Sequence, residues 1–252
     1  MITEPSIVAI VPAAGVGSRM QADRPKQYLP LAGRTVLEHT IAKLLSHPAI
    51  KRVVVAISED DPYYEHLPLA KQPEVVRVAG GKERADSVLS ALQYLTSEGT
   101  PTWVMVHDAA RPCVQLDDIE RLIESAVNHP VGAILASPVK DTMKRSDATQ
   151  HIDHTVERAN LWHALTPQMF QTGQLLTALS DALKASTTIT DEASALEWAG
   201  YSSTLVSGLS SNIKITQPED LDLAAYYLRK ENGSLRADSL NTDNQLNRKG
   251  IA

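Results

Sequence analysis

A chain of 252 residues, 43% of them hydrophobic, can bury one sizeable core, and one domain is expected at that length. Its formal net charge of −6 excludes an overall basic field, so neither nucleic acid nor an anionic membrane is expected as a partner. One cysteine, Cys113, leaves no disulfide framework or zinc cluster; with no signal pattern and no apolar run near ~18 residues, a soluble cytoplasmic protein is expected.

Short β-branched runs alternate with helical patterns along the chain. Ile7–Val11, Val53–Ile57, Val75–Val78, Trp103–Val106 and Ala133–Ala136 are continuously apolar rather than alternating. Such runs predict strands covered on both faces, hence a mostly parallel sheet. Thr35-Val-Leu-Glu38 has capping-box spacing and opens a helix through Leu45, with Leu37, Ile41, Leu44 and Leu45 inward. Ala85, Val88, Leu89, Leu92 and Leu95 trace a second helical stripe, and Ile119, Leu122, Ile123, Ala126 and Val127 a third. This alternation predicts a three-layer α/β/α sandwich around a Rossmann-like sheet with right-handed crossovers. Ligands of such sheets gather outside the carboxyl ends of the strands, where Gly15, Gly80-Gly81 and Asp108 all fall.

Residues 137–158 break the rhythm and predict two strands joined by a polar turn, a ribbon too small to stand alone in water. Thr216-Gln-Pro218-Glu219 repeats the capping-box spacing and opens a helix to about Leu228. A single domain is therefore expected over 1–230, with the ribbon inserted; the polar composition of 231–252 reads as a disordered tail.

The most informative segment is Val11-Pro-Ala-Ala-Gly15-Val-Gly17-Ser-Arg19-Met20 with Pro25-Lys26-Gln27-Tyr28. A strand runs into a loop of small residues whose backbone N–H groups can approach an anion, and two cations follow. A guanidinium fork and an ammonium point charge suit a polyphosphate. The third glycine of a dinucleotide fingerprint is absent, which disfavours an oxidoreductase, and the pattern is not a Walker loop.

Further motifs follow in order: Ala79-Gly80-Gly81-Lys-Glu-Arg84-Ala-Asp-Ser87-Val, Val106-His-Asp108-Ala-Ala-Arg111-Pro112, Asp141-Thr142-Met-Lys, Arg158, Leu161-Trp-His-Ala-Leu-Thr166-Pro-Gln, Thr190-Asp-Glu-Ala and Asn212-Ile-Lys214. As an ordered set over 6–229 they resemble the 2-C-methyl-D-erythritol 4-phosphate cytidylyltransferase family. The resemblance implies a fold of the nucleotide-diphospho-sugar transferase type and displacement at the α-phosphorus of CTP by a polyol phosphate. Relatives acting on ribitol 5-phosphate share much of the set, and a silent nucleotide-binding module is the alternative of another class.

By the same resemblance, Arg19 and Lys26 hold the triphosphate and stabilise the transition state. Pro12, Ala13, Ala14, Gly15 and Gly17 form the phosphate and base cradle, and Gly81 and Ser87 contact the cytosine and ribose. Asp108 lies near a magnesium ion and the polyol, with Ala109 and Arg111 on the substrate side. Thr142, Arg158, Thr166 and Lys214 bind the second substrate's phosphate, and Thr190 belongs to its loop. Residues 137–158 become an arm embracing a second subunit, so that Arg158 serves the neighbour's site in a homodimer. Lys82 stands where family members often carry an acid. Cys113 and His107 read as structural, and His151 and His154 as solvated residues of the ribbon.

Overall fold

The structure is a computed structural model that describes residues 7–15, 20, 22–99, 101–231 and 233; Gly17, Arg19 and nearly all of the expected tail lie outside these. The strands are β1 (Ile7–Pro12), β2 (Pro30–Leu31), β3 (Arg34–Thr35), β4 (Ile50–Ile57), β5 (Val75–Ala79), β6 (Trp103–Val106), β7 (Gly132–Pro138), β8 (Met143–Ser146), β9 (Ile152–Val156), β10 (Trp162–Gln171) and β11 (Thr204–Ser207). The helices are α1 (Val36–Leu45), α2 (Arg84–Ser97), α3 (Leu116–Val127), α4 (Thr172–Lys184), α5 (Glu192–Trp198) and α6 (Glu219–Glu231).

Seven strands form the central sheet in the order β11-β7-β10-β6-β1-β4-β5. Pairing is parallel throughout except at β10, which runs against both β6 and β7. The chain leaves β1 for β4 on one side and later returns to β6 on the other. A crevice therefore opens between the loops after β1 and β6, the switch point at which open α/β sheets bind ligands.

Helices cover both faces, as the unbroken apolar runs require. Ile7, Ala9 and Val11 face Leu37, Ile41 and Leu44 of α1 and Ile119 and Leu122 of α3. Val8 and Ile10 face Val88, Leu92 and Leu95 of α2 and Leu175 and Leu179 of α4. A third cluster seats Ala224 and Leu228 of α6 against Leu31, Val36 and the fully buried Cys113, whose thiol burial pushes up to about 12. That environment makes Cys113 a packing residue.

The capping box at Thr35 and Glu38 forms as expected, with both reciprocal hydrogen bonds present. One other cap differs by one residue: Asp220, not Glu219, accepts from the backbone N–H groups of Thr216 and Gln217 ahead of α6. Helix α5 is capped by Asp191, whose side chain accepts from Ser194 N–H. Val127 of α3 is exposed rather than inward.

Residues 137 and 138 still belong to β7, and the ribbon proper is the antiparallel pair β8 and β9. None of its strand residues is buried; Ile152 is 68% exposed. His151 and His154 lie in the open beside Asp147 and Asp153. No helix among the described residues is long and apolar enough to cross a membrane.

Candidate active site

The crevice is floored by two loops in contact. Gly80 N–H donates to the Ile57 carbonyl (2.7 Å), and a Cβ on Gly80 would stand 2.4 Å from the Cβ of Ala14. A Cβ on Gly81 would stand 2.2 Å from that of Asp86. Close approach thus explains this glycine pair, whereas Gly15 has open space around it. Gln27, 3% exposed, donates one amide to the carbonyls of both Ala13 (2.7 Å) and Gly15 (3.0 Å). Those two carbonyls are engaged inward, leaving the loop's opposite edge to a ligand.

Two cavities meet over this floor. One, of about 220 Å³, is bounded by Pro12 to Gly15 on one wall and by Gly81, Lys82 and Ser87 on the other, with Lys26 and Ala109 closing it. The other lies beyond Asp108, between Arg111, Thr166 and Thr190. Arg84, Asp108 and Lys214 line both, so they form the shared wall.

That wall is an ion network. Asp108 follows β6 with its side chain 9% exposed. Its Oδ1 accepts from Arg84 Nε (3.0 Å), and its Oδ2 lies 2.9 Å from Lys214 Nζ and 3.3 Å from Arg111 Nε. Burial alone would raise its pKa, but Arg84, Lys214 and Arg111 hold it well below the usual carboxylate range. Arg84 also makes a two-pronged contact with the buried Glu192, at 2.6 and 3.0 Å. Arg111 Nη1 donates to the Asn212 carbonyl (2.7 Å), tying the β6 loop to the segment that carries Lys214. Lys26 Nζ donates to the carbonyl of Ile215 (2.9 Å), so both lysines sit on one side of the crevice.

Behind Asp108 lies a buried chain. The Asp108 amide donates to Thr166 Oγ1 (3.1 Å), which also meets His107 Nδ1 (3.0 Å), while His107 Nε2 faces the Arg111 carbonyl (3.0 Å). Those partners place the proton on Nε2, with Nδ1 accepting from the threonine hydroxyl. Burial pushes His107 down to about 4 and keeps it neutral. The histidine is structural, as its sequence context implied.

The structure therefore gathers Pro12, Ala13, Ala14, Gly15, Lys26, Gly81, Ser87, Asp108, Ala109, Arg111, Thr166, Thr190 and Lys214 around two joined cavities. Ser87 lies beneath the rim, 2% exposed, its hydroxyl accepting from Gly81 N–H (3.0 Å) and donating to the Glu83 carbonyl (3.2 Å). It shapes the loop. Thr142 and Arg158 lie apart, at the foot of the ribbon, where Arg158 donates to the Lys140 carbonyl.

Both oxygens of Asp108 face cations, and no group of three His, Cys, Asp or Glu among the described residues could cage a metal. A magnesium ion at this wall would therefore need phosphate oxygens of the nucleotide beside Asp108, as one carboxylate alone does not hold it.

Arg84, Glu192 and Gln27 have no role in the sequence reading. All three stand inside quoted motifs, and a cation in the first turn of a helix, where the dipole disfavours it, was a readable signal for Arg84.

A small-residue loop at a sheet switch point, two joined cavities and cations on their common wall define an α/β nucleotidyltransferase acting on an anionic acceptor. The comparisons narrow the class: the family model for IspD, 2-C-methyl-D-erythritol 4-phosphate cytidylyltransferase, matches residues 7–230, and the chain belongs to that family. A protein of that description from Vibrio parahaemolyticus is 65% identical over 228 residues, covering 90% of this chain and 97% of the relative. One from Vibrio cholerae is 64% identical, over 89% and 97% of the two chains. Among solved structures, a 4-diphosphocytidyl-2C-methyl-D-erythritol synthase superposes with a TM-score of 0.78 at 37% identity, over 89% of this chain and 99% of its own. The Francisella tularensis 2-C-methyl-D-erythritol 4-phosphate cytidylyltransferase gives 0.74 at 36%, over 88% and 99%.

Proposed function

We infer that the protein joins CTP to 2-C-methyl-D-erythritol 4-phosphate, giving CDP-methylerythritol and pyrophosphate. The observation that carries this reading beyond family membership is the pair of cavities sharing the wall of Arg84, Asp108 and Lys214. CTP takes the cavity along Pro12 to Gly15, with cytosine towards Gly81 and Ser87 and its triphosphate towards Lys26, a role the sequence resemblance extends to Arg19. The polyol phosphate takes the other, beside Arg111, Thr166 and Thr190. Lys214 stands where the two substrates' phosphates meet.

An acceptor phosphate oxygen attacks the α-phosphorus in line. As that P–O bond forms, the bond to the β-phosphate oxygen breaks, and pyrophosphate leaves with the electron pair. A phosphate dianion is already a nucleophile, so no general base is required. The chain's work is to hold two anions together and to meet charge on a crowded phosphorus, through positioning and cationic stabilisation. Magnesium enters this reading with the nucleotide, on phosphate oxygens.

The ribbon's exposed strands support its use as an arm in a homodimer, with Thr142 and Arg158 delivered to the partner's acceptor cavity. The overall negative charge and the polyphosphate chemistry fit a cytoplasmic enzyme that engages neither nucleic acid nor a membrane. Pyrophosphate release across four nucleoside triphosphates and two acceptors, methylerythritol phosphate and ribitol 5-phosphate, tests the assignment. CTP with methylerythritol phosphate should give the fastest turnover. Its absence with that pair refutes the reading, and faster turnover of ribitol phosphate replaces the acceptor.

A further inference from the structure

We propose that Arg84 is a positioning residue that sets how tightly Asp108 holds Lys214, and so how freely Lys214 can receive the acceptor's phosphate. This rests on the reading of the two cavities above.

Three cations, Arg84, Arg111 and Lys214, surround two buried carboxylates, Asp108 and Glu192, so the cluster carries one surplus positive charge. Arg84 and Arg111 are each anchored to a second partner, Glu192 and the Asn212 carbonyl. Lys214, with its side chain 38% exposed against 28% and 11% for the arginines, is the cation the cluster presents to the crevice. Asp108 competes with any arriving phosphate for that ammonium group. Arg84 weakens the competition by occupying Oδ1 with a charge-assisted hydrogen bond of 3.0 Å.

The cost of keeping Arg84 there argues for such a use. It is the first residue of α2, where the helix dipole disfavours a cation, and its partner Glu192 is 2% exposed. Burying an ion pair is seldom the cheapest way to stabilise a fold. Arg84 also stands directly after the Gly81–Glu83 loop and reaches the first residue of α5, just past Thr190 and Asp191. One guanidinium thereby spans the walls of both substrates.

The test compares wild type, Arg84→Met and Arg84→Met/Glu192→Gln. The single variant strands a buried carboxylate and should lose stability; the double variant removes that carboxylate's charge and should regain it. A strut would recover its kinetics along with its stability. On our proposal the double variant, though stable, keeps a KM for methylerythritol phosphate raised on the order of tenfold, one charge-assisted hydrogen bond's worth, while the KM for CTP moves less than threefold. An acceptor KM within threefold of wild type in the stable double variant overturns the proposal. Should neither variant fold, Glu192→Gln decides alone: Arg84 then gives its charge wholly to Asp108 and the acceptor KM falls, whereas a KM at or above wild type overturns it. If wild type turns over no CTP with methylerythritol phosphate, the functional reading fails separately. Calorimetric binding of inorganic phosphate to the same proteins then reads the grip on Lys214, with weaker binding in the double variant supporting the role and unchanged binding overturning it.

Discussion

Acidification should weaken the floor of the active site through His107 at pH values where Asp108, held well below the usual carboxylate range, is still ionised. The ring is fully buried, its Nε2–H committed to the Arg111 carbonyl and its Nδ1 to the Thr166 hydroxyl. Burial lowers its pKa to about 4 from an ordinary 6.5. The unfolded chain thus binds this proton more tightly than the folded one. Stability from the neutral ring is complete above pH 6.5 and is lost as pH falls towards 4. The full window corresponds to about 3 kcal/mol, and the interval from pH 7 to pH 5 to about 2 kcal/mol. Denaturant unfolding of wild type and His107→Gln at both pH values isolates it, because histidines common to both proteins cancel. Gln keeps a donor for the Arg111 carbonyl but does not titrate, so wild type should lose about 2 kcal/mol more than the variant. Equal losses would refute the buried neutral ring.

Lys26→Ala should lower kcat by about 10²–10³ and raise the KM for CTP far less, if the ammonium meets charge formed in the transition state; weaker CTP binding at unchanged kcat would reduce it to a ground-state contact. Gly80→Ala brings its Cβ to 2.4 Å from that of Ala14, so it should cost roughly 1–3 kcal/mol and weaken CTP binding, with Ala14→Gly recovering part of both, since the backbone of Ile57 stays 3.3 Å away; wild-type melting and affinity in Gly80→Ala would show that the loops need not touch. If the ribbon carries Arg158 into a partner's site, mixing subunits that carry Arg158→Ala with subunits that carry Lys214→Ala should restore activity neither parent has, since one site of each mixed dimer would then hold both lesions and the other none. No rescue despite verified exchange would sink the shared site.

The nucleotide half of the fold was legible because its physics is local. Continuous runs such as Val53–Ile57 have few alternatives to a strand buried on both faces, and the motifs that end them fall on one rim by topology alone. The acceptor half was harder. β10 reads Trp-His-Ala-Leu-Thr-Pro-Gln-Met-Phe-Gln, and a proline amid polar residues hides a central strand that accommodates it at a break in register between Ala164 and Gln168. β11 is four residues long on the sheet's edge, too short for a pattern. Lys26, Asp108 and Lys214 stood out by motif and do meet. The pairing of Arg84 with Glu192, 108 positions apart, becomes visible only once folding has brought α2 and α5 to the same wall.

The reversed strand β10 has one more consequence. It divides the sheet into a block of β6, β1, β4 and β5 and a block of β7 and β11 beyond it, while β10 itself supplies Ala164, Leu165, Thr166 and Gln168 to the second cavity. The loops after β1 and β5 line the first cavity, the loop after β6 reaches both, and Arg84, Asp108 and Lys214 are common to the two. On the functional reading above, substitutions at 164–166, 168, 190 and 191 should alter the choice of acceptor while leaving the choice of nucleotide in place. A strand laid in backwards is thus the hinge between two separately adjustable recognition surfaces.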